Sequence, residues 1–234
     1  MSLTVLEAHD LHKTYTGGDG GQIDVLSGIN LSVRRGEMVS IVGESGAGKS
    51  TLLHVLGALD APTRGYVVIG GHPVQGRSEE DLAGLRNRTV GFVFQFHHLL
   101  REFSALENVM MPLRISGADE KKSRARAEEL LARVGLGGRM THRPGQLSGG
   151  EQQRTAVARA LAMDPQVLLA DEPSGNLDAR NGEMLHELLS GMVHDFEVGM
   201  VVVTHNRALA SRANRILLLE GGRLREAEAS EVGA

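Results

Sequence analysis

The chain has 234 residues, 41% of them hydrophobic, with 25 Lys and Arg against 29 Asp and Glu and a formal net charge of -4. This length and apolar content support one large domain, residues 1–234, with a real core. The charge gives no overall basic character that would indicate nucleic acid binding. Cysteine is absent, which excludes disulfides and thiolate metal sites.

Hydropathy along the chain gives no sign of a membrane segment. Residues 1–10 carry polar side chains where a signal peptide needs an apolar core. No apolar run approaches the roughly 20 residues that span a bilayer. We therefore expect a chain that is soluble by itself and that meets a membrane only through a partner.

Two strands joined by a glycine-rich loop are predicted first. Residues 5–15 and 23–33 contain short apolar alternations, and residues 17–21 between them are mostly glycine, which indicates an antiparallel β layer. Tyr15 lies at the end of the first strand. Its ring has two interpretations, packing on the β layer or stacking on an adenine ring.

The next segment fits the pattern G-x-x-x-x-G-K-[ST] and follows an apolar run over residues 38–42. Its glycines allow successive N–H groups to turn inward around phosphate oxygens. A helix predicted over residues 51–59 adds a dipole that favours anions. A glycine-rich turn without a ligand is the alternative. The residues of this phosphate-binding loop are Gly43, Glu44, Ser45, Gly46, Ala47, Gly48, Lys49 and Ser50, followed by Thr51.

A hairpin, a polar stretch and a buried strand are predicted next. Residues 66–69 precede a Gly-Gly turn, residues 77–88 are polar, and residues 90–94 stay apolar as a buried strand does. That strand delivers Gln95 at its carboxyl end. Ligands of open α/β sheets bind beyond such ends, so Gln95 is a candidate site residue, with a buried, satisfied amide as the alternative.

Helical patterns replace strand patterns from residue 96 to about residue 161. We expect an inserted helical subdomain over 96–161, with residues 1–95 and 162–234 forming the core and its β subdomain. His97 and His98 are not a predicted metal site, because side chains of neighbouring residues diverge and no carboxylate or cysteine set accompanies them.

A capping box precedes the last helical pattern of this region, predicted over residues 152–163. Ser148 and Glu151 have the S-x-x-E spacing, and Gly149 and Gly150 between them expose backbone amides. The pattern is consistent with a helix cap alone. A helix start with bare glycine amides can also bind an anion.

Two carboxylates follow the next predicted strand. Residues 167–170 form a short apolar run that leads directly into Asp171 and Glu172. A helix over 179–196 and a buried strand over 199–203 come next, and that strand ends at Thr204 and His205. A final strand over 215–219 leads to a Gly-Gly turn, and the tail from residue 225 is predicted to be frayed or lightly packed.

The carboxyl ends of parallel strands meet at one edge of a sheet, so these polar residues should gather beside the phosphate-binding loop. There Lys49 would reach the outer phosphates of ATP, and Asp171 would hold Mg²⁺ with Ser50, in part through water. Glu172 would act as general base on the attacking water. His205 would donate to the γ-phosphate, and Gln95 would contact water or metal.

With these residues in hand, the chain resembles the ATP-binding subunits of ABC transporters over nearly its whole length. Tyr15 falls where that family places its adenine-stacking aromatic. The matching motifs are Walker A (43–50), the Gln95 loop, the signature (147–152), Walker B (167–172), the D loop (176–178) and the switch His205.

The resemblance implies a P-loop NTPase core, mostly parallel and flanked by helices, with an N-terminal antiparallel β subdomain and the inserted helical subdomain. It also implies a head-to-tail dimer. In such a dimer Ser148 and the amides of Gly149 and Gly150 would bind the γ-phosphate held by the partner copy, and Asp178 would act across the interface.

A narrower similarity links residues 94–100, 103–109 and 175–181 to the ATPase subunits of bacterial lipoprotein-releasing systems. It implies two copies on the cytoplasmic side of the inner membrane, bound to coupling helices of two integral membrane subunits that handle lipoprotein. Docking would involve Phe103, Leu106, Met110 and Met111, although core packing explains the same residues equally well.

Two departures from the family pattern, Glu44 and Ser174, leave macrolide-type exporters and the cell-division complex as alternatives within the resemblance. A soluble ABC ATPase acting on DNA or ribosomes is disfavoured. The roughly 100 residues between phosphate-binding loop and signature leave no room for a long coiled coil or a second cassette.

Overall fold

The computed structural model describes residues 4–18 and 20–228. Residue 19 of the predicted loop, residues 1–3 and residues 229–234 of the predicted tail lie outside the described residues. The strands are β1 (Thr4–Thr16), β2 (Gln22–Arg34), β3 (Met38–Val42), β4 (Arg64–Ile69), β5 (His72–Pro73), β6 (Val90–Phe94), β7 (Val167–Asp171), β8 (Gly199–Val203), β9 (Arg215–Glu220) and β10 (Arg223–Glu226). The helices are α1 (Lys49–Leu56), α2 (Glu79–Thr89), α3 (Ala105–Ile115), α4 (Glu120–Arg133), α5 (Gly149–Ala160), α6 (Ala179–Asp195) and α7 (Arg207–Ala210).

The first sheet is antiparallel and has the order β2-β1-β4-β5. Its strands alternate between buried and exposed residues, so that one face lies on the core and the other meets solvent. Gly70 and Gly71 make the turn into β5 with φ of 58° and 76°, a conformation that glycine adopts without penalty. The predicted β layer and hairpin are confirmed.

The second sheet has the order β10-β9-β3-β8-β7-β6, and only β10 runs antiparallel to its neighbour. All five residues of β3 and of β8 are buried. Parallel strands covered on both faces have nearly continuous apolar sequences, and Ser40 is the one polar residue of these two strands. The predicted α/β class with a mostly parallel sheet is confirmed.

The central sheet separates two hydrophobic cores. Along β7, Leu168 and Ala170 face the core formed with α3 to α6, whereas Val167 and Leu169 face the core shared with the antiparallel sheet and α1. Consecutive side chains of a strand point to opposite faces, so a short apolar strand fills both cores. Helices therefore cover one face of the sheet, and the β layer with α1 covers the other.

Several predicted boundaries differ from the structure. Helix α1 ends at Leu56 rather than residue 59, because Ala58 adopts a left-handed φ of 55° after the cap at Gly57. Helix α5 covers Gly149–Ala160 rather than residues 152–163, since Ser148 caps it directly. At the other end of the chain, Arg225 pairs with Leu218 in the β10–β9 hairpin, so this part of the predicted frayed tail is ordered strand.

Helix α2 occupies the polar stretch for which no element was predicted. Ser78 caps it by accepting a hydrogen bond from the Asp81 amide, and three acidic residues fill its first turn. Only Leu85 and Thr89 of this helix are buried. With so narrow an apolar face, its hydrophobic periodicity is too weak to be recognised.

Two of the four predicted docking residues belong to the interior. Leu106 and Met110 on α3 are 5% and 7% exposed and lie in the core that α3 shares with α4 and α5. Their apolar spacing follows from helix packing, and the packing alternative holds for both. Phe103 remains 38% exposed.

Candidate functional site

The register of the central sheet aligns the ends of four parallel strands. The residues in one row across the sheet are Phe94, Asp171, Val203 and Ile41. Gln95, Glu172 and the Thr204–His205 pair follow directly after that row. The phosphate-binding loop begins after β3 at the same edge, so the predicted convergence of these segments is present in the fold.

The phosphate-binding loop requires glycine at two positions. A Cβ on Gly43 would lie 2.4 Å from the Leu219 carbonyl oxygen, and one on Gly48, where φ is 98°, would lie 2.7 Å from Val25. Lys49 closes the loop, since its Nζ donates to the carbonyl oxygens of Gly43 at 2.9 Å and Glu44 at 2.8 Å. An ammonium group has a third donor, which leaves hydrogen-bonding capacity for a phosphate oxygen.

Helix α1 starts inside this motif. Its N-cap is Gly48, and Lys49, Ser50 and Thr51 form the first turn, with Ser50 exposed. No side chain caps the helix, so amides of its first turn lack an intrahelical acceptor. A helix start of this kind favours an anion.

Glu172 and His205 are joined by hydrogen bonds. Glu172 Oε1 lies 2.8 Å from His205 Nδ1 and accepts from the His205 amide at 3.0 Å, while Oε2 accepts from the Thr204 hydroxyl at 3.2 Å. A carboxylate only accepts, so Nδ1 carries the hydrogen and Nε2 is left for another group. The side chain of Glu172 is 17% exposed and that of His205 is 73% exposed. The predicted base thus orients the predicted switch residue.

Asp171 is the last residue of β7 and is partly exposed. No side-chain hydrogen bond from another described residue reaches its carboxylate. Within residues 4–18 and 20–228, no three His, Asp or Glu side chains converge as a metal site.

Gln95 contacts the turn that follows Glu172. Its Nε2 donates to Asn176 Oδ1 at 3.0 Å, and Asn176 Nδ2 donates back to the Gln95 carbonyl at 3.2 Å. A Cβ on Gly175 would lie 3.0 Å from Gln95 Nε2, so the turn approaches the amide closely. The half-buried Gln95 is therefore linked to the segment between Glu172 and Asp178.

Tyr15 is held by a neighbour that the sequence did not reveal. Its hydroxyl donates to Asp60 Oδ2 at 2.8 Å, while Lys13 Nζ donates to Asp60 Oδ1 at 2.7 Å. Partial burial and the bond to Asp60 raise the pKa of Tyr15. Partial burial opposes ionisation of Asp60, but the bonds from Lys13 and Tyr15 hold its pKa below the usual range. The ring is 40% exposed and has a fixed orientation.

The predicted capping box at the start of α5 is confirmed. Ser148 Oγ accepts from the Glu151 amide at 3.3 Å, and Glu151 Oε2 accepts from the Ser148 amide at 2.8 Å. These bonds to Ser148, with an ion pair to Arg139, lower the pKa of Glu151. Ser148 and Gly149 are exposed, whereas a Cβ on the buried Gly150 would lie 2.5 Å from Asn181 Oδ1.

Asp178 is the N-cap of α6. It accepts from the Asn181 amide at 2.9 Å and from Asn181 Nδ2 at 2.7 Å. Hydrogen bonding by Asn181 lowers the pKa of this exposed carboxyl. The same Asn181 contacts Gly150, so the starts of α5 and α6 lie against each other.

Comparison with known proteins identifies relatives for nearly the whole chain. A family model described as ABC transporter matches residues 26–175. The lipoprotein-releasing system ATP-binding protein LolD of Geobacter metallireducens is 53% identical over 221 residues, which cover 94% of this chain and 98% of that protein. LolD of Myxococcus xanthus is 52% identical over 225 residues, covering 96% and 100%.

Solved structures of similar fold are ATP-binding cassettes. The cassette MJ0796, in a dimeric post-hydrolysis state bound to ADP and Pi, superposes with a TM-score of 0.86 at 39% identity, covering 96% of this chain and 98% of that one. The protein cbiO1 of Clostridium perfringens, part of the ABC transporter complex cbiONQ, superposes with a TM-score of 0.85 at 27% identity, covering 98% of this chain and 90% of that one.

Proposed function

The chain belongs to the ABC transporter family of ATP-binding proteins, and we propose that it is the ATP-hydrolysing subunit of a lipoprotein-releasing system. The observation that carries this proposal is about 50% identity to LolD proteins along nearly the entire chain. The described helices include none that is long and apolar enough to cross a bilayer. We place the chain on the cytoplasmic face of a bacterial inner membrane, where it would drive membrane-embedded partners.

ATP binding rests on the phosphate-binding loop and the start of α1. The loop amides and the first turn of α1 would hold the phosphates, and Lys49 would donate its third N–H to a phosphate oxygen. The tethered ring of Tyr15 is supported as an adenine platform by its exposure and by its bond to Asp60.

A Mg²⁺ ion fits the donor set at this edge. Asp171 offers a carboxylate and Ser50 a hydroxyl, and Mg²⁺ prefers such oxygen ligands, completed by phosphate oxygens and water. The ion would neutralise charge on the phosphates. Gln95 supplies a further oxygen donor that could reach the ion or the attacking water.

Hydrolysis requires a base that stays beside the phosphate site. Glu172 is held by Thr204 and His205, which fixes the direction of its carboxylate. It would take a proton from water as that water attacks the γ-phosphorus. His205, with Nδ1–H donating to Glu172, would place Nε2 toward the γ-phosphate region.

A head-to-tail dimer would complete two sites. Ser148 and Gly149 are exposed at the start of α5, and Ser148, Gly149 and Gly150 would bind the γ-phosphate held by the other copy. The Ser148 hydroxyl, which accepts from Glu151, has its own hydrogen available for that phosphate. Asp178, beside the same helix start, would act across the interface.

Docking to the membrane subunits is assigned to the segment after Gln95. Phe96, Leu100 and Phe103 are 65%, 43% and 38% exposed, an apolar surface that a coupling helix could cover. In this proposal the unit 96–161 transmits movement between the partner and the core formed by 1–95 and 162–234. The cargo, lipoprotein, would contact only the membrane subunits.

Reconstitution tests the proposal directly. The chain is co-expressed with candidate membrane subunits, purified, and placed in vesicles that contain a lipidated protein. We expect co-purification, and release of the lipidated protein to a soluble acceptor that depends on ATP and is lost with Glu172→Gln. If the purified chain hydrolyses ATP but no membrane subunit co-purifies with it, or if release continues in Glu172→Gln, the assignment is refuted.

A further inference from the structure

The segment that follows Gln95 has no regular secondary structure, and side chains of two helices hold it in place. Residues 95–100 form bends and coil between β6 and the turn before α3. His98 within it has a left-handed φ of 46°, which is strained for a residue with a side chain. Such a conformation persists only where surrounding contacts determine it.

Helix α5 supplies the first set of contacts. Gln153, a buried residue, donates through Nε2 to the Phe94 carbonyl at 2.9 Å. Arg159 donates through Nη2 to the His97 carbonyl and through Nη1 to the His98 carbonyl, each at 2.8 Å. Three backbone carbonyls, one before Gln95 and two after it, are thus bound by α5, the helix that Ser148 caps.

The geometry of the arginine explains why this residue type stands there. A guanidinium is a planar fork that donates to two acceptors in fixed directions, which suits two consecutive carbonyls better than an ammonium. Desolvation lowers the pKa of Arg159, in keeping with a side chain drawn into the protein. The Phe94 ring meets the His98 ring edge to face at 5.5 Å, which supports the same backbone path.

Helix α3 fixes the other end of the segment. Asn108 is fully buried, accepts from the Leu100 amide at 2.8 Å, and donates to the carbonyls of Leu100, Phe103 and Ser104. The exposed side chains of Phe96 and Leu100 therefore project from a backbone tied to α5 and α3. Gln95 itself is tied instead to Asn176.

We propose that Arg159, assisted by Gln153, is a positioning residue for ATP hydrolysis that fixes the segment after Gln95 to the signature helix and so directs Gln95 into the site. The inference rests on the proposed function, because it gives that site a positioning residue that touches neither nucleotide nor water. A docked partner that displaces Phe96 or Leu100 would then also move Gln95 and α5, because the hydrogen bonds of Arg159 and Gln153 join this segment to the helix.

The test is a double-mutant cycle of ATP turnover in the full chain bound to its membrane subunits. Arg159→Gln should lower kcat about tenfold and leave KM for ATP within about twofold, since the nucleotide cradle is untouched. Gln95→Ala should also lower kcat. The double variant should be no slower than Gln95→Ala alone, because Arg159 acts through Gln95.

The matched control is Arg86→Gln. Arg86 on α2 also donates to a backbone carbonyl, that of Ala58, at 2.8 Å, but outside the segment. The substitution Arg86→Gln should leave kcat unchanged, both alone and in combination with Gln95→Ala. Arg159→Lys keeps the charge and a single donor nitrogen but loses the planar fork, and it should recover part of the lost rate. If Arg159→Gln fails to fold, Gln153→Met, which removes one donor at similar volume, takes its place in the cycle.

The outcomes separate this inference from the function on which it rests. An unchanged kcat in Arg159→Gln, a change in KM alone, or rate losses that add in the double variant would overturn the positioning role. A wild-type chain that hydrolyses no ATP would overturn the proposed function instead. Losses that do not add, with Arg86→Gln unaffected, establish the role.

Discussion

Glu172 and His205 form one hydrogen-bonded unit, with Oε1 of the carboxylate 2.8 Å from Nδ1 of the imidazole. They lie 33 positions apart in sequence, at the ends of the adjacent strands β7 and β8. The contact sets the tautomer of the histidine and the direction of the carboxylate together. A change in either residue should therefore disturb the other.

Replacing the base should separate binding from turnover. Glu172→Gln preserves size and an acceptor oxygen for His205 but removes basicity, so ATP turnover should fall about 10²- to 10⁴-fold while ATP binding persists. With ATP trapped, a dimer should accumulate. Phosphate release and size-exclusion chromatography measure the two effects. Glu187→Gln on the exposed face of α6 is the control, and wild-type turnover in Glu172→Gln would remove this residue from its role.

Removing the lysine of the phosphate-binding loop should weaken nucleotide binding itself. Lys49→Ala eliminates an ammonium that can bond a phosphate, and charged hydrogen bonds of this kind contribute about 1.5–3 kcal/mol, so ATP affinity should fall about ten- to a hundredfold. Titration calorimetry with ATP gives the affinity. Lys122→Ala, an exposed change on α4, should bind like wild type. Equal affinities in both variants would mean that the phosphate cradle lies elsewhere.

Variants of Tyr15 should distinguish stacking from hydrogen bonding. Tyr15→Ala removes the ring, and loss of an aromatic contact worth about 0.5–1.5 kcal/mol should weaken ATP affinity about two- to tenfold. Tyr15→Phe keeps the ring and loses only the bond to Asp60, so its affinity should stay near that of wild type. Titration with a fluorescent ATP analogue measures the affinity of each variant. If Tyr15→Phe binds as weakly as Tyr15→Ala, the hydroxyl rather than the ring is the important group.

Replacing the buried Asn108 should lower the stability of the fold. Asn108→Leu leaves the Leu100 amide and three carbonyls without their partner, and the free energy of unfolding should fall by about 2–5 kcal/mol. Asn108→Asp keeps the acceptor and loses both amide hydrogens, so it should be nearly as destabilised. Urea denaturation measures each variant. Full stability in Asn108→Asp would show that the donors contribute nothing.

Two glycines should respond in opposite ways to the same substitution. A Cβ on Gly91 would lie 2.4 Å from the Ala160 carbonyl oxygen, so Gly91→Ala should force α5 away from β6 and cost about 1–3 kcal/mol. A Cβ on Gly191 meets nothing within 4 Å on the exposed side of α6, and Gly191→Ala should add about 0.5–1 kcal/mol through helix propensity. Thermal unfolding of both variants measures these two changes in stability. A stable Gly91→Ala variant would mean that the close packing of α5 on β6 relaxes freely.

Strands of the central sheet were predictable because β3, β7 and β8 are mainly apolar, with Ser40 inside β3 and Asp171 at the end of β7 as their polar residues. Most of the candidate site residues could be identified for a related reason, since they come directly after an apolar strand or within a glycine-defined loop. Tyr15, inside β1, and Asp178, the N-cap of α6, have neither position. Helix α2 was not predictable, because a helix that buries only Leu85 and Thr89 carries almost no periodic signal.

Long-range partners could not be predicted from the pattern. Asp60 supports Tyr15 from 45 positions away, and Arg159 reaches His97 from 62 positions away, with no local feature that marks either pair. Leu106 and Met110 show a further limit, because an apolar helix face looks the same whether it meets the protein core or a partner. Only the three-dimensional arrangement distinguishes the two.

The position of β3 between β8 and β9 bears on how the protein is made. The strand that leads into the phosphate-binding loop is translated before residues 43–198, whereas its two hydrogen-bonding neighbours, Gly199–Val203 and Arg215–Glu220, are translated after them. A nascent chain must therefore keep this mainly apolar strand unpaired while the intervening residues are made, which exposes it to aggregation or to chaperones. Nucleotide can stabilise this fold only after β8 and β9 have been translated.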